Sequence, residues 1–375
     1  MASRYSGLLV NAIYSFIGGL IYPTLPLYLK LSGFTVFTLS MTVTAMYASG
    51  MASSIIWGRL ISNSRLMKAA LLAGSLGGGL GYLALSFLRD AYLIAIVLVF
   101  LSIVTSGIYP SIMSMLSEAE DPVAGLSYFW VGGSLGYAIA TSFSGYVLSH
   151  VGMWMLFLAS AVIYALSSII LLSIAKSPQA SSTNAVAVKV NGVKASLKAI
   201  TLYIASVLLL MTVDVIKNIY IPMYYAFNVG IGPTYATMTL GVEAFLEIPA
   251  ILAVGRLIKR GIISPWRCLG ISLILASTYL TLNALVVKNL YLAFLAMSTY
   301  AVVWATFSVS SSVIVPNLGI GDVGTSYGIY NAVFPLANIV TPIYMGIGIG
   351  RLGYGKMLIY EASALLLLSL IVLIG

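Results

Sequence analysis

The chain has 375 residues, of which 61% are hydrophobic and 7% charged, with a formal net charge of +9 and a mean hydropathy of +1.06. That composition excludes an ordinary soluble globule and places the chain among membrane proteins. A single cysteine, Cys268, excludes an internal disulfide framework or a cysteine metal cluster, and a single histidine, His150, excludes a histidine-rich metal site.

Met1 to Leu9 carries Arg4 and no small-residue cleavage site after a short apolar core, so the first span is expected to stay as helix one. Apolar stretches of spanning length, roughly 20 residues each, then recur almost without pause. They predict twelve helices near 6–28, 36–57, 68–88, 91–114, 124–147, 152–174, 199–225, 234–256, 266–287, 290–313, 323–348 and 354–374. Residues 175–198 break the series with Ser, Ala, Lys and Asn, and read as a linker between bundles 1–174 and 199–375. With the N-terminus inside, twelve basic residues fall on one face: Arg4, Arg59, Arg65, Lys68, Lys176, Lys189, Lys194, Lys198, Arg256, Lys259, Arg260 and Arg267. Lys30, Arg89, Lys288, Arg351 and Lys356 fall on the other, and Lys217 lies within a span. The asymmetry predicts a multi-pass protein of the cell membrane with both termini cytoplasmic. The basic excess then reports contact with anionic membrane lipids, not with nucleic acid.

The two halves repeat one another. Pro26-Leu27-Tyr28 returns as Pro222-Met223-Tyr224, Gly58-Arg59-Leu60-Ile61 as Gly255-Arg256-Leu257-Ile258, and Gly125-Leu126-Ser127-Tyr128 as Gly324-Thr325-Ser326-Tyr327. Asp121 precedes the last of these as Asp322 precedes its copy. A common order at nearly constant offset predicts duplication of a six-helix unit, the copies related by a pseudo-two-fold axis along the membrane normal.

This pattern resembles the major facilitator superfamily over essentially the whole chain. The family's loop signature, Gly-x-Leu-Ala-Asp-Arg-x-Gly-Arg-Arg or close to it, is matched in part by Gly58-Arg59-Leu60-Ile61-Ser62-Asn63-Ser64-Arg65-Leu66-Met67-Lys68. Ser62 stands where the family acid stands and Arg65 at the second glycine, so the architecture carries more of the resemblance than this loop. The resemblance implies an all-α membrane fold and secondary transport by alternating access, with no cofactor, and a monomer is expected.

Four charges lie at membrane depth, where each costs roughly 2.5–3.5 kcal/mol on insertion scales. Asp214 and Lys217, three apart, share a helix face. They read either as a structural ion pair or as a group that binds solute or exchanges a proton. Glu243 and Glu247, four apart, share another face, and two carboxylates so close in low dielectric resist double ionisation. That favours proton coupling; the competing reading is a glutamate held in a polar contact to Lys217 or a tyrosine hydroxyl. Glu247-Ile248-Pro249 resembles a run in helix eight of some sugar and nucleoside facilitators, and Pro249 loosens the helix there. Glu361 is expected at the outer interface, near Lys356.

The first six spans hold no comparable charge. The acid in helix one or arginine in helix four of many family exporters is missing, and Gly132-Gly133-Ser134-Leu135-Gly136 is followed by Tyr137 where an exporter has proline. Symport through the C-terminal half is therefore preferred over a multidrug or amphiphile exporter. A membrane solute sensor remains a third reading, and an enzyme is not expected. Asn11, Tyr14, Tyr22, Tyr109, Tyr220, Tyr224, Tyr300, Trp304, Tyr330, Asn331 and Asn338 are candidates to contact a small organic solute, against helix packing as the plainer role of each. Arg59, Arg65 and Lys68 are set against Glu118, Glu120 and Asp121 as a cytoplasmic gating latch. Gly74/Gly78, Gly77/Gly81 and Gly132/Gly136 have the spacing for close helix approach. Gly346-Ile347-Gly348-Ile349-Gly350 ends a span with no strand before it and is not a nucleotide loop.

Overall fold

The computed structural model describes residues 2–60, 64–108, 111, 122–175, 196–286, 288–318 and 323–374. Helices account for nearly all of them, as expected where no water competes for backbone hydrogen bonds. The first half contains α1 (Ala2–Ile21), α2 (Thr24–Leu31), α3 (Val36–Leu60), α4 (Ser64–Phe87), α5 (Ala91–Thr105), α6 (Pro122–His150) and α7 (Met153–Ala175). The second begins with α8 (Leu197–Val215), continued by a π-helical stretch (Ile216–Tyr220), the single turn α9 (Ile221–Met223) and a second π stretch (Tyr224–Val229). It goes on through α10 (Gly232–Lys259), α11 (Pro265–Ala284), α12 (Leu290–Ser298), α13 (Tyr300–Ile314), α14 (Val323–Leu352) and α15 (Tyr354–Ile374).

Among the described residues, eight helical stretches are long and apolar enough to cross a membrane: Gly7–Leu31, Lys68–Phe87, Met153–Leu171, Leu197–Val229, Gly232–Lys259, Leu290–Ile314, Val333–Leu352 and Tyr354–Leu373. Of the remaining predicted spans, 36–57, 124–147 and 266–287 coincide with α3, α6 and α11, whose Ser, Thr and Gly dilute their apolar character. The span predicted at 91–114 is represented by the shorter apolar helix Ala91–Thr105. Large apolar side chains such as Leu80, Phe87, Phe100, Ile169, Leu295 and Leu367 are exposed, which suits a surface facing lipid.

The chain divides into two compact units, Met1–Thr35 with Thr42–Ala185, and Val36–Met41 with Val186–Gly375. The linker expected at 175–198 lies, for residues 176–195, outside the described residues. In the first unit α1 packs on α6 and α7, and α4 packs on α5 and α7. Glycine permits the closest of these approaches. A Cβ added at Gly132 would fall on the Leu8 carbonyl oxygen, and one at Gly136 on that of Ala12. In α4, a Cβ at Gly74 would meet Ile108 at 2.5 Å, at Gly77 Val104 at 2.5 Å, at Gly78 Tyr164 at 2.7 Å and at Gly81 Leu101 at 2.5 Å. All three predicted glycine pairs therefore serve helix packing. Small polar residues tie α3 to α5: Ser49 and Ser102 hydroxyls lie 2.8 Å apart, and Ser53 donates to the Ile103 carbonyl at 2.9 Å.

In the second unit α11 packs on α8, α13 and α15, α10 on α12 and α13, and α8 on α14. Ile251, Val254, Cys268 and Ala305 form a buried apolar junction of α10, α11 and α13. Helix starts are capped where an end meets polar surroundings. Ser196, Ser264 and Asn289 accept from backbone N–H groups of the first turns of α8, α11 and α12. Asp90 does the same twice for α5, from Tyr92 and Leu93 at 2.9 Å each. Asp90→Ala is expected to cost about 1 kcal/mol, read as a small fall in the melting temperature with transport retained.

The π stretches have a local cause. Pro222 has no N–H to give the carbonyl four residues earlier, so the ladder must widen around Asn218. Gly230, at φ 82°, ends the second stretch and donates to the Tyr225 carbonyl at 3.0 Å.

Candidate functional site

The widened turn after α8 carries Lys217, which is 4% exposed, toward α10 and α13. Its Nζ lies 3.3 Å from Glu243 Oε2 and 3.7 Å from Asp214 Oδ1. It also stands over the Tyr300 ring, 4.5 Å from the centroid, close enough for cation–π attraction. Lys217 is therefore shared, with Glu243 the nearer partner. The sequence suggested the pairing within one helix; the contact between helices is the shorter of the two.

The two carboxylates have unequal support. Asp214 accepts from the Asn218 amide at 3.0 Å and from the Tyr300 hydroxyl at 3.1 Å. Glu243 is 0% exposed. Lys217 donates to its Oε2, while among the described residues its Oε1 has no hydrogen-bond partner. Glu247, one turn along α10 and also buried, interacts with the Glu243 carboxyl. A buried ionised carboxylate is held by the charge of its cationic partner. Moving Lys217 fully to Asp214 removes that charge and makes a proton on Glu243 the least costly replacement. The arrangement can thus exchange an ammonium contact for a proton at one oxygen. Pro249, inside α10, leaves the Phe245 carbonyl without its usual helical donor beside this pair.

The other candidates are spread through the fold. Asn11, 2% exposed, donates to the Phe129 carbonyl at 2.7 Å and accepts from Ser15, joining α1 to α6. Tyr14 meets the Ser167 hydroxyl at 3.1 Å and the Tyr164 ring edge-on, joining α1 to α7. Tyr22 is exposed beside Tyr47. Tyr220 is fully buried and donates to the Pro342 carbonyl at 3.3 Å. Tyr224 donates to the Val286 carbonyl and packs on Tyr354. Trp304 is half-buried and stacks on Tyr300 with centroids 6.5 Å apart. Tyr330 lies 3.3 Å from the Ser311 hydroxyl, and Asn338 donates to the Phe334 carbonyl within its own helix. Asn331 lies in α14, its side chain outside the described residues, as is Tyr109 altogether. Of the aromatic candidates among the described residues, Tyr300 touches the charged cluster directly, with Trp304 behind it.

Of the gating residues, Glu118, Glu120 and Asp121 lie outside the described residues, as does the Arg59 side chain, while Arg65 and Lys68 are exposed. Glu361 departs from expectation. It is half-buried and bonded to Thr212 and Tyr344, whereas Lys356 is exposed, because helical periodicity turns position 361 inward. Asn218 was not singled out from the sequence; its spacing of four from Asp214 was the available signal.

Residues 7–342 match the family model of the Major Facilitator Superfamily. The chain belongs to that superfamily. Among curated proteins, none matches it by sequence. Solved structures share its fold at low identity. A POT family transporter in complex with 5-aminolevulinic acid aligns at TM-score 0.83 and 13% identity, covering 99% of this chain and 95% of that one. The nucleoside transporter NupG aligns at TM-score 0.75 and 15% identity, covering 99% of each. A D-xylose-proton symporter aligns at TM-score 0.76 and 13% identity, covering 98% of this chain and 96% of that one. The superfamily member described here is accordingly an all-helical, multi-pass membrane protein of a transporter family.

Proposed function

We propose that this facilitator is a proton-coupled secondary transporter of a small organic solute, working by alternating access. Its architecture on this reading is twelve spans in two six-helix bundles, 1–174 and 199–375, about a cytoplasmic linker at 175–198. It lies in the cell membrane with both termini cytoplasmic. The observation that carries the reading is the division of Lys217 between Glu243 at 3.3 Å and Asp214 at 3.7 Å, with one Glu243 oxygen unpartnered. A proton arriving on Glu243 frees Lys217 for Asp214 or for an anionic group on the solute; loss of the proton draws it back. Glu247 is the neighbouring carboxyl through which the proton reaches or leaves Glu243. The fold's likeness to a D-xylose-proton symporter supports proton coupling, and its likeness to POT family and nucleoside transporters supports an organic solute.

The test is internal pH in vesicles reconstituted with the purified protein, as sugars, nucleosides and peptides are added outside. Acidification of the interior with one solute class, absent in Glu243→Gln while that solute still binds, is the expected result. Alkalinisation would instead indicate antiport. Uptake that is indifferent to a pH gradient, and unchanged in both Glu243→Gln and Glu247→Gln, would remove the proposal.

A further inference from the structure

The helices of the second unit carry five exposed cations at one end, which the topology proposed above places in the cytoplasm. Lys198 opens α8, Arg256 and Lys259 close α10, Arg260 follows it, and Arg267 stands in the first turn of α11. Arg256, Lys259 and Arg260, at spacings of three and four, share one face of the helix end. Among the described residues, none of the five has a carboxylate within ion-pair distance. The described carboxyls of this unit, Asp214, Glu243, Glu247 and Glu361, all lie inside spans.

The turn between α10 and α11 is ordered by its own backbone. Gly261 takes φ 69° and donates to the Ile258 carbonyl at 3.0 Å, and Ile262 donates to that of Leu257 at 3.0 Å. This closure sorts the apolar residues of the turn into two sets. Ile258 and Ile263 pack against the buried junction of Ile251, Val254, Cys268 and Ala305. Leu257 and Ile262 are left outside it, 40% and 66% exposed. Trp266, beside Arg267, is half-buried and meets Tyr203 edge-on with centroids 6.3 Å apart, so α11 starts against the helix that Lys198 opens. Helix length sets the layer that this end occupies. At 1.5 Å per residue the 28 residues of α10 run about 42 Å, against about 30 Å of hydrocarbon and about 40–45 Å with the headgroups included. The last turn of α10 therefore reaches headgroup level, where apolar and cationic side chains both find partners.

We propose that this end of the second unit is a docking site for the headgroup of an anionic phospholipid. Lys259, Arg260 and Arg267 take the headgroup phosphate, and Leu257 and Ile262 lie among the upper carbons of the acyl chains. Charge complementarity selects the occupant. A zwitterionic headgroup brings an ammonium of its own and leaves the cations uncompensated, whereas an anionic headgroup offsets them. A free phosphate would satisfy the cations but leave Leu257 and Ile262 in water. The site joins the ends of α8 and α10. The continuation of α8 carries Lys217 and α10 carries Glu243, the pair in contact at 3.3 Å. The lipid is thereby a ligand of both helices that build the charged cluster.

The experiment titrates lipid into the purified full-length chain in a neutral detergent and follows the melting temperature by tryptophan fluorescence. Dioleoylphosphatidylglycerol is expected to raise it saturably, and dioleoylphosphatidylcholine to leave it unchanged. Each basic residue near an anionic surface contributes about fivefold to binding. The triple variant Lys259→Gln, Arg260→Gln and Arg267→Gln should therefore raise the half-saturating phosphatidylglycerol by about tenfold or more. Arg260→Gln alone, expected to raise it about fivefold, supplies the reading should the triple variant fail to fold. A matched triple at the other end of the same unit, Lys288→Gln, Arg351→Gln and Lys356→Gln, should leave it nearly unchanged. Equal half-saturation in the wild type and the first triple overturns the proposal, as does an equal loss in the matched triple. Stabilisation by inorganic phosphate at the same concentrations overturns it too, making this a site for a soluble anion. The proposal takes its cytoplasmic placement from the topology above, but none of these readings depends on solute flux. A failure here leaves the transport reading standing, and a failed transport assay leaves the lipid site standing.

Discussion

Lys217→Met is expected to cost the fold about 3–5 kcal/mol, the range for removing one partner of a buried charge pair. Among the described residues the lysine is the one cation paired with Glu243, which has no solvent exposure. Asp214 fares better, keeping Asn218 and Tyr300. The loss should therefore be carried by Glu243, and the double variant Lys217→Met with Glu243→Gln should recover most of the lost thermal stability. Transport should remain abolished in both. Melting temperature in detergent, read from tryptophan fluorescence in the four-variant cycle, checks this. A single variant as stable as the wild type would show that Glu243 does not rely on the lysine.

Gly136→Leu should be as damaging, for a reason with no electrostatic content. Any side chain there meets the α1 backbone at Ala12, and a backbone cannot turn aside as a side chain can. Overpacking of a core typically costs about 1–3 kcal/mol, and a backbone clash belongs at or above the upper end. Gly350→Leu, with nothing within 4 Å of the added Cβ, is the control expected to behave like the wild type. Equal yields of folded protein for the two variants on size exclusion would refute the α1–α6 contact.

These two positions show what was legible in the sequence and what was not. Gly132 and Gly136 were readable because small-residue spacing is local and has one main use in a membrane helix. Asp214 and Lys217 were readable as a pair for the same reason, being one turn apart. The Lys217 contact to Glu243 spans 26 positions and depends on how α10 packs on the turn after α8, so the sequence could offer it only as one alternative. The π stretches left a trace in Pro222, but a proline inside a span predicts a kink as readily as a widened turn. Glu361 was expected beside Lys356, but it faces Thr212 and Tyr344. Its facing is set by periodicity and by Thr212 and Tyr344, which belong to other helices. Most of the tyrosines expected to line a solute path also reach a neighbouring helix by hydroxyl or ring, a contact that no property of the tyrosine itself announces.

The order in which the cluster's members are synthesised gives the Asp214–Lys217 spacing a further meaning. In chain order the segment bearing Lys217 is made before α10. At that stage Glu243, 26 residues later, cannot serve as counter-charge. Asp214, three residues earlier on the same turn, already can, so the nascent helix enters lipid as a neutral dipole and not as a bare cation. When α10 follows, Glu243 arrives without a partner of its own and finds a lysine already in place. The 3.7 Å pair is thus the one the segment carries within itself, and the 3.3 Å pair the one that α10 completes.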